Sequence, residues 1–342
     1  MVSKILIFQR VMLRARIIGT GSYLPAKILS NQDLEKLVET SDDWITTRTG
    51  MKERRIASET ESTSFMGTEA AKKAMEKAGI TATEIDLILV ATITPDYPFP
   101  NTASLIQANL EAAGAAAVDI QAACSGYVYG LSMAKAYVES GMYRHVLLIA
   151  SEKLSSVTDY QDRSTCVLFG DGAAACIVSD QGAGFSIDGV VLGADGTQKD
   201  ILYMPGGGSS LPASIETVQE RKHFIKMEGK ETYKHAVRRM ESAAIQCLEK
   251  VGCVEEDLSY LIPHQANMRI IEALAKRFKM PMEKVFLTIH KYGNTSASSC
   301  GIAFDELILE KELHEGEKIL LVAFGAGLTW GAVILTKHKR GV

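Results

Sequence analysis

The sequence of 342 residues has few cysteines and no pattern that would link them. Its six cysteines are scattered without a C-x-x-C pair, which argues against both a zinc site and a disulfide framework. It has no apolar run of the ~18 residues that a membrane span requires, and no signal-peptide pattern opens it. A net charge of only -4 gives no sign of a nucleic-acid partner. These absences predict a cytoplasmic protein without membrane or nucleic-acid partners, and the length is that of an enzyme rather than a small module.

Short apolar runs separated by helical patterns indicate an α/β fold. The runs Leu87–Ala91, Val146–Ala150 and Ile319–Ala323 are typical of strands buried on both faces. Residues 1–12 are predicted to be an extension that precedes the fold, with Met12 as an alternative start. A targeting role for so short a stretch is disfavoured.

An internal repeat indicates that the chain has two related halves. The segment Met75–Gly79 recurs 173 positions later as Leu248–Gly252, and the run from Val146 recurs at the same offset from Ile319. Helix–glycine–strand order is common in α/β proteins, but two agreements at one offset favour a duplicated unit with a site between its copies. The predicted halves are residues 13–182 and 183–342.

Cys124 lies where a buried helix is predicted to begin. Apolar residues follow it at helical spacing, and Gly141 ends the pattern. The positive end of a helix lowers the pKa of a thiol, so Cys124 is a candidate nucleophile. An isolated cysteine in such a stretch is more often an inert buried residue, so the interpretation depends on its partners.

His264 and Asn294 are the candidate partners. His264 follows a proline at the end of a predicted strand, where an imidazole can face a cleft. Asn294 lies among small residues before another predicted helix, and alone it would be interpreted as a helix cap. Together with Cys124 they supply a nucleophile and two hydrogen-bond donors.

Two other enzyme classes share parts of this pattern. The order Cys124, His264, Asn294 imitates the papain-like cysteine proteases, but their signature around the cysteine is absent. The segment Gly170–Ala175 fits the dinucleotide pattern loosely, but a strand is predicted after it where a nucleotide site requires a helix. Both hypotheses are therefore disfavoured.

From about Met12 to its C-terminus the chain resembles the type III β-ketoacyl-[acyl carrier protein] synthases. The motifs that carry the resemblance are Gly19–Pro25, Ser41–Gly50, Ala123–Gly126, Phe169–Ala173, Pro263–Asn267, Gly293–Ser296 and Gly325–Gly331. The resemblance implies an α/β thiolase fold, with two duplicated βαβαβαββ halves in a five-layer αβαβα arrangement, usually as a homodimer. Related enzymes with Cys-His-His or Cys-His-Cys sites fit less well, because Asn294 takes the third place.

The implied reaction is a decarboxylative Claisen condensation that initiates fatty acid synthesis. An acyl-CoA primer, acetyl-CoA foremost, would join malonyl-acyl carrier protein to give 3-oxoacyl-acyl carrier protein, carbon dioxide and coenzyme A. Coenzyme A thioester is a substrate, and no cofactor is implied. The alternatives are a related condensing enzyme of a specialised pathway and a non-catalytic paralogue that binds carrier protein. The presence of Cys124, His264 and Asn294 counts against the paralogue.

The resemblance also implies roles for residues around this trio. The backbone N–H groups of Cys124 and Ala326 would form an oxyanion hole, although the family usually has glycine where this chain has Ala326. A positive φ there would strain alanine. The implied coenzyme A-binding residues are Trp44, Arg48 and Arg163, with Trp44 and Arg163 enclosing the adenine; ordinary surface packing is the competing interpretation.

The remaining implied roles concern the acyl chain and the carrier protein. The acyl pocket would use Phe99, Phe169 and Phe324, with Phe99 reaching in from the partner subunit; core packing is the competing interpretation. The surface for acyl carrier protein would use Lys234, Gln265, Arg269, Lys276 and Arg277. Three of these cations fall on one side of the helix predicted after His264, and the competing interpretation is a solvated basic face.

Overall fold

Strands and helices alternate along the described part of the chain, residues 13–339 of a computed structural model. The predicted extension, residues 1–12, lies outside the described residues. The strands are β1 (Arg16–Tyr23), β2 (Lys27–Ser30), β3 (Glu53–Ile56), β4 (Leu87–Ala91), β5 (Ala116–Ile120), β6 (His145–Glu152), β7 (Gly172–Ser179), β8 (Gly184–Ala194), β9 (Leu202–Tyr203), β10 (Lys226–Met227), β11 (Leu258–Pro263), β12 (Lys318–Gly325) and β13 (Thr329–His338). The helices are α1 (Asn31–Leu34), α2 (Asp42–Thr49), α3 (Thr63–Ala78), α4 (Thr102–Asn109), α5 (Gly126–Glu139), α6 (Arg163–Cys166), α7 (Ile215–Gln219), α8 (Gly229–Val251), α9 (Met268–Arg277), α10 (Ile289–Tyr292) and α11 (Ser298–Glu310).

The main sheet contains two copies of one strand order. Its order is β11-β12-β13-β8-β1-β7-β6-β4-β5, and β1 meets β8 only through Arg16 and Ile17. One part of the sheet is β1-β7-β6-β4-β5. Numbered by their order along the chain, these are the first, fifth, fourth, second and third strands of that part. The other part, β8-β13-β12-β11, repeats the order first, fifth, fourth, second. Where its third strand would lie, a single parallel bridge joins Leu261 of β11 to Val285. This recurrence agrees with the duplicated thiolase arrangement that the resemblance implies.

The helices and the two parts of the sheet form five layers, three of helices and two of strands. On one outer face α3 packs against β1, β7 and β6, and on the other α8 packs against β13, β8 and β12. Between the two parts, α5 and α11 contact strands of both. Strands such as β6 are buried along their whole length, because both of their faces are covered.

The repeated helix ends have the same geometry. Helix α3 ends at Gly79 with φ 69° and ψ 34°, and α8 ends at Gly252 with φ 71° and ψ 34°. Both glycines adopt the left-handed conformation that closes a helix at low cost. The proposed division at residue 182 falls in the turn between β7 and β8 and stays a prediction. In the described part of the chain no helix has the length and apolar character to cross a membrane.

Candidate active site

A cavity of about 790 Å³ is lined by residues that range from Trp44 to Phe324. Cys124, His264 and Asn294 all line it, although they come from separate elements. Cys124 follows β5 at the start of α5, His264 follows β11, and Asn294 lies between α10 and α11. The topology therefore brings together a thiol, an imidazole and an amide that are 140 and 30 positions apart in sequence (124 to 264 to 294).

Cys124 is held in a tight turn before α5. Ala123 adopts a left-handed conformation with φ 45°, which is unusual for a residue with a side chain and is concentrated at functional sites. Cys124 is 8% exposed. Burial raises the pKa of its thiol to about 12. The sequence analysis expected the helix end to lower this pKa, whereas desolvation by burial is the largest influence in the structure and raises it.

His264 is oriented by Ser299. Its Nδ1 lies 2.6 Å from the Ser299 hydroxyl oxygen, and that oxygen also accepts a hydrogen bond from the Gln265 backbone N–H at 3.5 Å. In the tautomer with the ring proton on Nε2, Nδ1 accepts the Ser299 hydroxyl hydrogen and Nε2 is the donor. Burial lowers the pKa of His264 to about 3, so the imidazole is neutral.

Asn294 is fixed by its backbone and by one side-chain bond. A parallel bridge joins it to Phe169, with its N–H donating to the Leu168 carbonyl at 2.9 Å. Its Oδ1 accepts from the Ser296 backbone N–H at 2.9 Å, which leaves the Nδ2 amide as the donor available to a substrate. The helix that follows begins at Ser298 with Ala297 as its cap, so Asn294 is not that helix cap.

The loop after β12 lies directly against Cys124. A side-chain carbon added at Gly325 would come within 2.5 Å of the Cys124 backbone nitrogen. The Thr329 hydroxyl lies 2.8 Å from the Ala122 carbonyl and 3.0 Å from the Ala326 carbonyl. Ala326 is not one of the described non-glycine residues that have a positive φ, so alanine is not strained in this loop.

The three phenylalanines differ in position. Phe169 and Phe324 are buried and line the cavity. Phe99 is 85% exposed and is not part of the cavity wall of its own chain. A role for Phe99 in an acyl pocket thus requires a second subunit.

Trp44 lies at the cavity mouth between two arginines. The guanidinium carbons of Arg48 and Arg163 each lie 4.9 Å from the Trp44 ring centroid, within cation–π range. Arg163 also donates to the Glu39 carbonyl at 2.9 Å. The separation of Arg163 from Trp44 leaves no room for a third ring, so an enclosed adenine requires Arg163 to move.

Cations surround the same mouth. Lys230, Lys234 and Arg269 line the cavity, and Lys234 pairs with Glu231 at 2.6 Å. On α9, Lys276 and Arg277 are exposed, and Arg277 approaches Glu241 of α8 at 3.6 Å. The electrostatic surface here favours an anionic partner.

Gln265 does not belong to this surface. It is 0% exposed, and its Oε1 accepts from the backbone N–H groups of Thr288 and Ile289 at 2.9 and 3.1 Å. Its Nε2 donates to the Pro263 carbonyl at 2.7 Å. The sequence prediction that Gln265 contacts carrier protein is corrected: its side chain ties the His264 loop to the start of α10.

Comparisons with known proteins agree with this geometry. Residues 118–196 match the family model of 3-oxoacyl-[acyl-carrier-protein (ACP)] synthase III, and residues 248–337 match the model of its C-terminal part. The β-ketoacyl-[acyl-carrier-protein] synthase III of Chlamydia trachomatis serovar D is 60% identical over 94% of this chain and 99% of its own. The enzyme of the same name from Caldanaerobacter subterraneus is 55% identical over 95% and 98% of the two chains.

A solved structure gives the same result. The crystal structure of 3-oxoacyl-[acyl-carrier-protein] synthase III from Aquifex aeolicus is 49% identical and covers 94% of this chain and 99% of its own, with a TM-score of 0.87. The chain belongs to the β-ketoacyl-[acyl-carrier-protein] synthase III family. Its thiolase fold is thereby confirmed, and it is an acyltransferase of the condensing type.

The family motifs left several polar residues of this synthase site unnoticed. Ser299 and Ser296 lie within the small-residue stretch after Asn294, but nothing in a row of serines shows which hydroxyl faces which group. Glu152, at the end of β6, accepts from the Ser296 hydroxyl at 3.1 Å, and its place at a strand end gave no sign of this contact. Lys230 was detectable, because it precedes Lys234 by one helical turn on α8.

Proposed function

We propose that this synthase III family member condenses an acyl-CoA primer with malonyl-acyl carrier protein through Cys124, His264 and Asn294. The observation that carries the assignment is the convergence of these three side chains on one cavity. Fatty acid synthesis is the process that the family serves, and acetyl-CoA is the primer we propose.

In the first stage, the Cys124 sulfur attacks the thioester carbonyl of the primer. The coenzyme A thiol leaves, and the acyl group stays on Cys124 as a thioester, which requires ping-pong kinetics. The backbone N–H groups of Cys124 and Ala326 are the proposed donors to the tetrahedral oxyanion. The contact of Gly325 with the Cys124 nitrogen supports this role, because it places the loop against the proposed hole.

In the second stage, malonyl-acyl carrier protein loses carbon dioxide. The electrons of the broken carbon–carbon bond form an enolate, whose carbon attacks the carbonyl carbon of the Cys124 thioester. The carbon–sulfur bond to Cys124 then breaks, the sulfur regains a proton as the free thiol, and 3-oxoacyl-acyl carrier protein leaves. The His264 Nε2 proton and the Asn294 amide are the proposed donors to the enolate oxygen. A neutral imidazole suits this task, since it donates without requiring a charged ring in a buried site. The balance of bonds requires no metal or redox cofactor.

The mouth of the cavity would bind the rest of each substrate. Trp44, Arg48 and Arg163 are the proposed contacts for coenzyme A. Carrier proteins are acidic, and we propose that they dock on Lys234, Arg269, Lys276 and Arg277 in the part of the rim where α8 and α9 meet. The exposure of these cations supports the docking site.

We also propose a cytoplasmic homodimer. Strand β5 forms a free edge of the sheet, and Tyr97, Phe99 and Val118 are exposed apolar side chains on or near it. Unpaired edges with exposed apolar residues favour pairing with another chain. In such a dimer Phe99 would reach the acyl pocket of the partner.

The test is a reconstituted reaction with a panel of coenzyme A thioesters. The chain should form 3-oxoacyl-acyl carrier protein from acetyl-CoA and malonyl-acyl carrier protein, and Cys124→Ala should not. A preference for branched or longer primers would correct the choice of primer. Failure with every primer, in the presence of intact carrier protein, would contradict the function.

A further inference from the structure

The Asn294 amide can donate to a substrate in only one of its two orientations. Its proposed task is to offer the Nδ2 hydrogens to an enolate oxygen, whereas an amide turned by half a rotation would present its own oxygen and repel the enolate. The backbone N–H of Ser296 donates to the Asn294 Oδ1 at 2.9 Å, and this bond selects the productive orientation. The position of the Ser296 N–H therefore decides which atom Asn294 offers.

The backbone of Ser296 is held in a strained conformation. Its φ is 50°, in the left-handed region that residues with a side chain occupy only where the surrounding structure imposes it. Without a constraint, serine would relax toward ordinary backbone angles, and its N–H would turn away from the Asn294 Oδ1. Ser296 is buried, so the constraint must come from a contact inside the protein.

A buried carboxylate makes that contact. The Ser296 hydroxyl donates to the Glu152 Oε1 at 3.1 Å. Glu152 is the last residue of β6 and is 0% exposed. A hydrogen bond to an ionised acceptor in a buried place is stronger than one between neutral groups. The bond to Glu152 thus ties the Ser296 side chain, and with it the strained backbone, to the end of a central strand.

Glu152 is itself fixed by the loop that follows β4. Its Oε2 accepts three hydrogen bonds, from the Thr92 hydroxyl at 3.2 Å, the Ile93 N–H at 3.1 Å and the Thr94 hydroxyl at 2.7 Å. The carboxylate cannot rotate without losing these bonds. Its Oε1 therefore stays at one point, where it can receive the Ser296 hydroxyl.

The cavity wall separates these residues from the substrate. Asn294 lines the cavity, whereas neither Glu152 nor Ser296 is part of its wall. An effect of Glu152 on the reaction must therefore pass through a residue that does line it. The chain of hydrogen bonds from Glu152 through Ser296 ends on the Asn294 Oδ1.

We propose that Glu152 is a positioning residue, which acts through Ser296 to hold the Asn294 amide in the orientation that the enolate requires. The proposal rests on the proposed function in one respect, namely that Asn294 donates to the enolate oxygen. It assigns Glu152 to the second stage, because the proposed oxyanion donors of the first stage are backbone groups of Cys124 and Ala326. A carboxylate that only supported the fold would affect both stages alike.

The test measures two rates in each variant: carbon dioxide release from malonyl-acyl carrier protein without primer, and acylation of Cys124 by acetyl-CoA. Ser296→Ala keeps the N–H but frees the backbone to relax, so it should lower the kcat of decarboxylation about tenfold. The KM for malonyl-acyl carrier protein and the acylation rate should not change. Glu152→Gln should act in the same way, because its amide cannot accept both from the Ser296 hydroxyl and from the three donors on its other side.

Ser296→Gly separates positioning from a chemical role of the hydroxyl. Glycine also lacks the hydroxyl but adopts a φ of 50° without strain, so it should recover most of the decarboxylation rate that Ser296→Ala loses. Glu152→Gln should add little to Ser296→Gly, because the contact that it disrupts is already absent. Equal losses in the alanine and glycine variants would overturn the proposal.

Ser298→Ala is the matched control. Ser298 is buried in the same stretch, but its hydroxyl donates to the Thr295 carbonyl at 2.9 Å, so its loss should leave both rates unchanged. Wild-type decarboxylation in Ser296→Ala, or an equal loss of both stages, would overturn the proposal, and the Ser296 variants decide the matter if Glu152→Gln does not fold. Wild-type decarboxylation in Asn294→Ala would instead overturn the proposed function of Asn294.

Discussion

At the scale of single residues, burial decides the protonation states of the site. It keeps the His264 ring neutral and the Cys124 thiol protonated at rest. Both effects have one cause, which is that the cavity wall excludes the water that would stabilise an ion. The site therefore works with neutral groups whose hydrogen bonds are set in advance.

Because His264 and Asn294 are the proposed donors to the enolate, their removal should affect the two stages of the reaction differently. His264→Ala and Asn294→Ala should each lower malonyl decarboxylation about 10²- to 10³-fold, because each removes one donor to the developing oxyanion. Acylation of Cys124 should change far less. Burst kinetics measure the two stages separately, and an Asn294→Ala decarboxylation rate within a few-fold of wild type would return Asn294 to a purely structural role.

His264 also gives a stability prediction. Its folded pKa of about 3 lies below the ordinary value of 6.5, so the unfolded chain binds a proton that the folded chain does not. The stability from the neutral ring is full above pH 6.5 and is lost as the pH falls toward 3. His264→Gln should lose less stability than wild type between pH 7 and 4.5 in chemical denaturation. An unchanged pH dependence would contradict the burial of a neutral ring.

The sequence was sufficient to select three residues that line one cavity, but not the residues that contact them. Cys124, His264 and Asn294 stand in short motifs with distinctive neighbours. Glu152 and Ser296 are 144 positions apart (152 to 296), and only the fold shows that they meet. Gln265 was assigned to the surface because a polar residue next to His264 gives no indication that backbone donors bury it.

At the scale of elements, helices α8 and α9 set the character of the cavity mouth. Asn267 caps α9 by accepting from the Arg269 N–H at 2.9 Å. Ile270, Ile271 and Leu274 are buried, so the helix can present its cations only on its outer side. The basic rim is thus a consequence of amphipathic packing at a place where a macromolecular substrate must approach.

This arrangement predicts a specific effect of Arg269→Ala. The KM for malonyl-acyl carrier protein should rise several-fold and become less sensitive to salt, because a rim charge acts mainly through screened attraction. The coenzyme A stage should be nearly unchanged. Lys72→Ala is the control, since Lys72 is an exposed cation on the opposite outer layer, paired with Glu69. Equal loss in both stages would mean that Arg269 supports the fold or the site.

The elements themselves were largely predictable. The three apolar runs became β4, β6 and β12, because sustained apolar character without helical periodicity fits strands covered on both faces. The strained turn at Ala123 was not predictable, since alanine gives no signal of a positive φ. The turn lies against Gly325 at the end of β12, a tertiary contact that the local sequence does not reveal.

At the scale of the whole molecule, the duplication explains why the site lies where it does. Each half ends its strands toward the same cavity, one supplying the thiol and the other the imidazole and amide. Neither half alone contains the thiol, the imidazole and the amide. The repeat in the sequence thus predicted the duplicated architecture of the sheet, while a site shared by the two halves stays a prediction.

The proposed dimer contact lies at the β5 edge, near the exposed side chain of Phe99. Phe99→Asp should weaken association in analytical ultracentrifugation, because it places a charge in an apolar contact next to the β5 edge. Ile215→Asp changes another exposed apolar residue, on α7, and serves as the control. A wild-type chain that sediments as a monomer at micromolar concentration would contradict the dimer and the role of Phe99.

The most direct test of the whole account is the intact mass of the protein after brief exposure to acetyl-CoA. We expect one acetyl adduct on the wild type, mapped by peptide digestion to Cys124 and absent from Cys124→Ala. We also expect that Cys124→Ala still decarboxylates malonyl-acyl carrier protein, since the enolate donors lie on other residues. An adduct on Cys166 or Cys300, or none on the wild type, would contradict the assignment of the nucleophile.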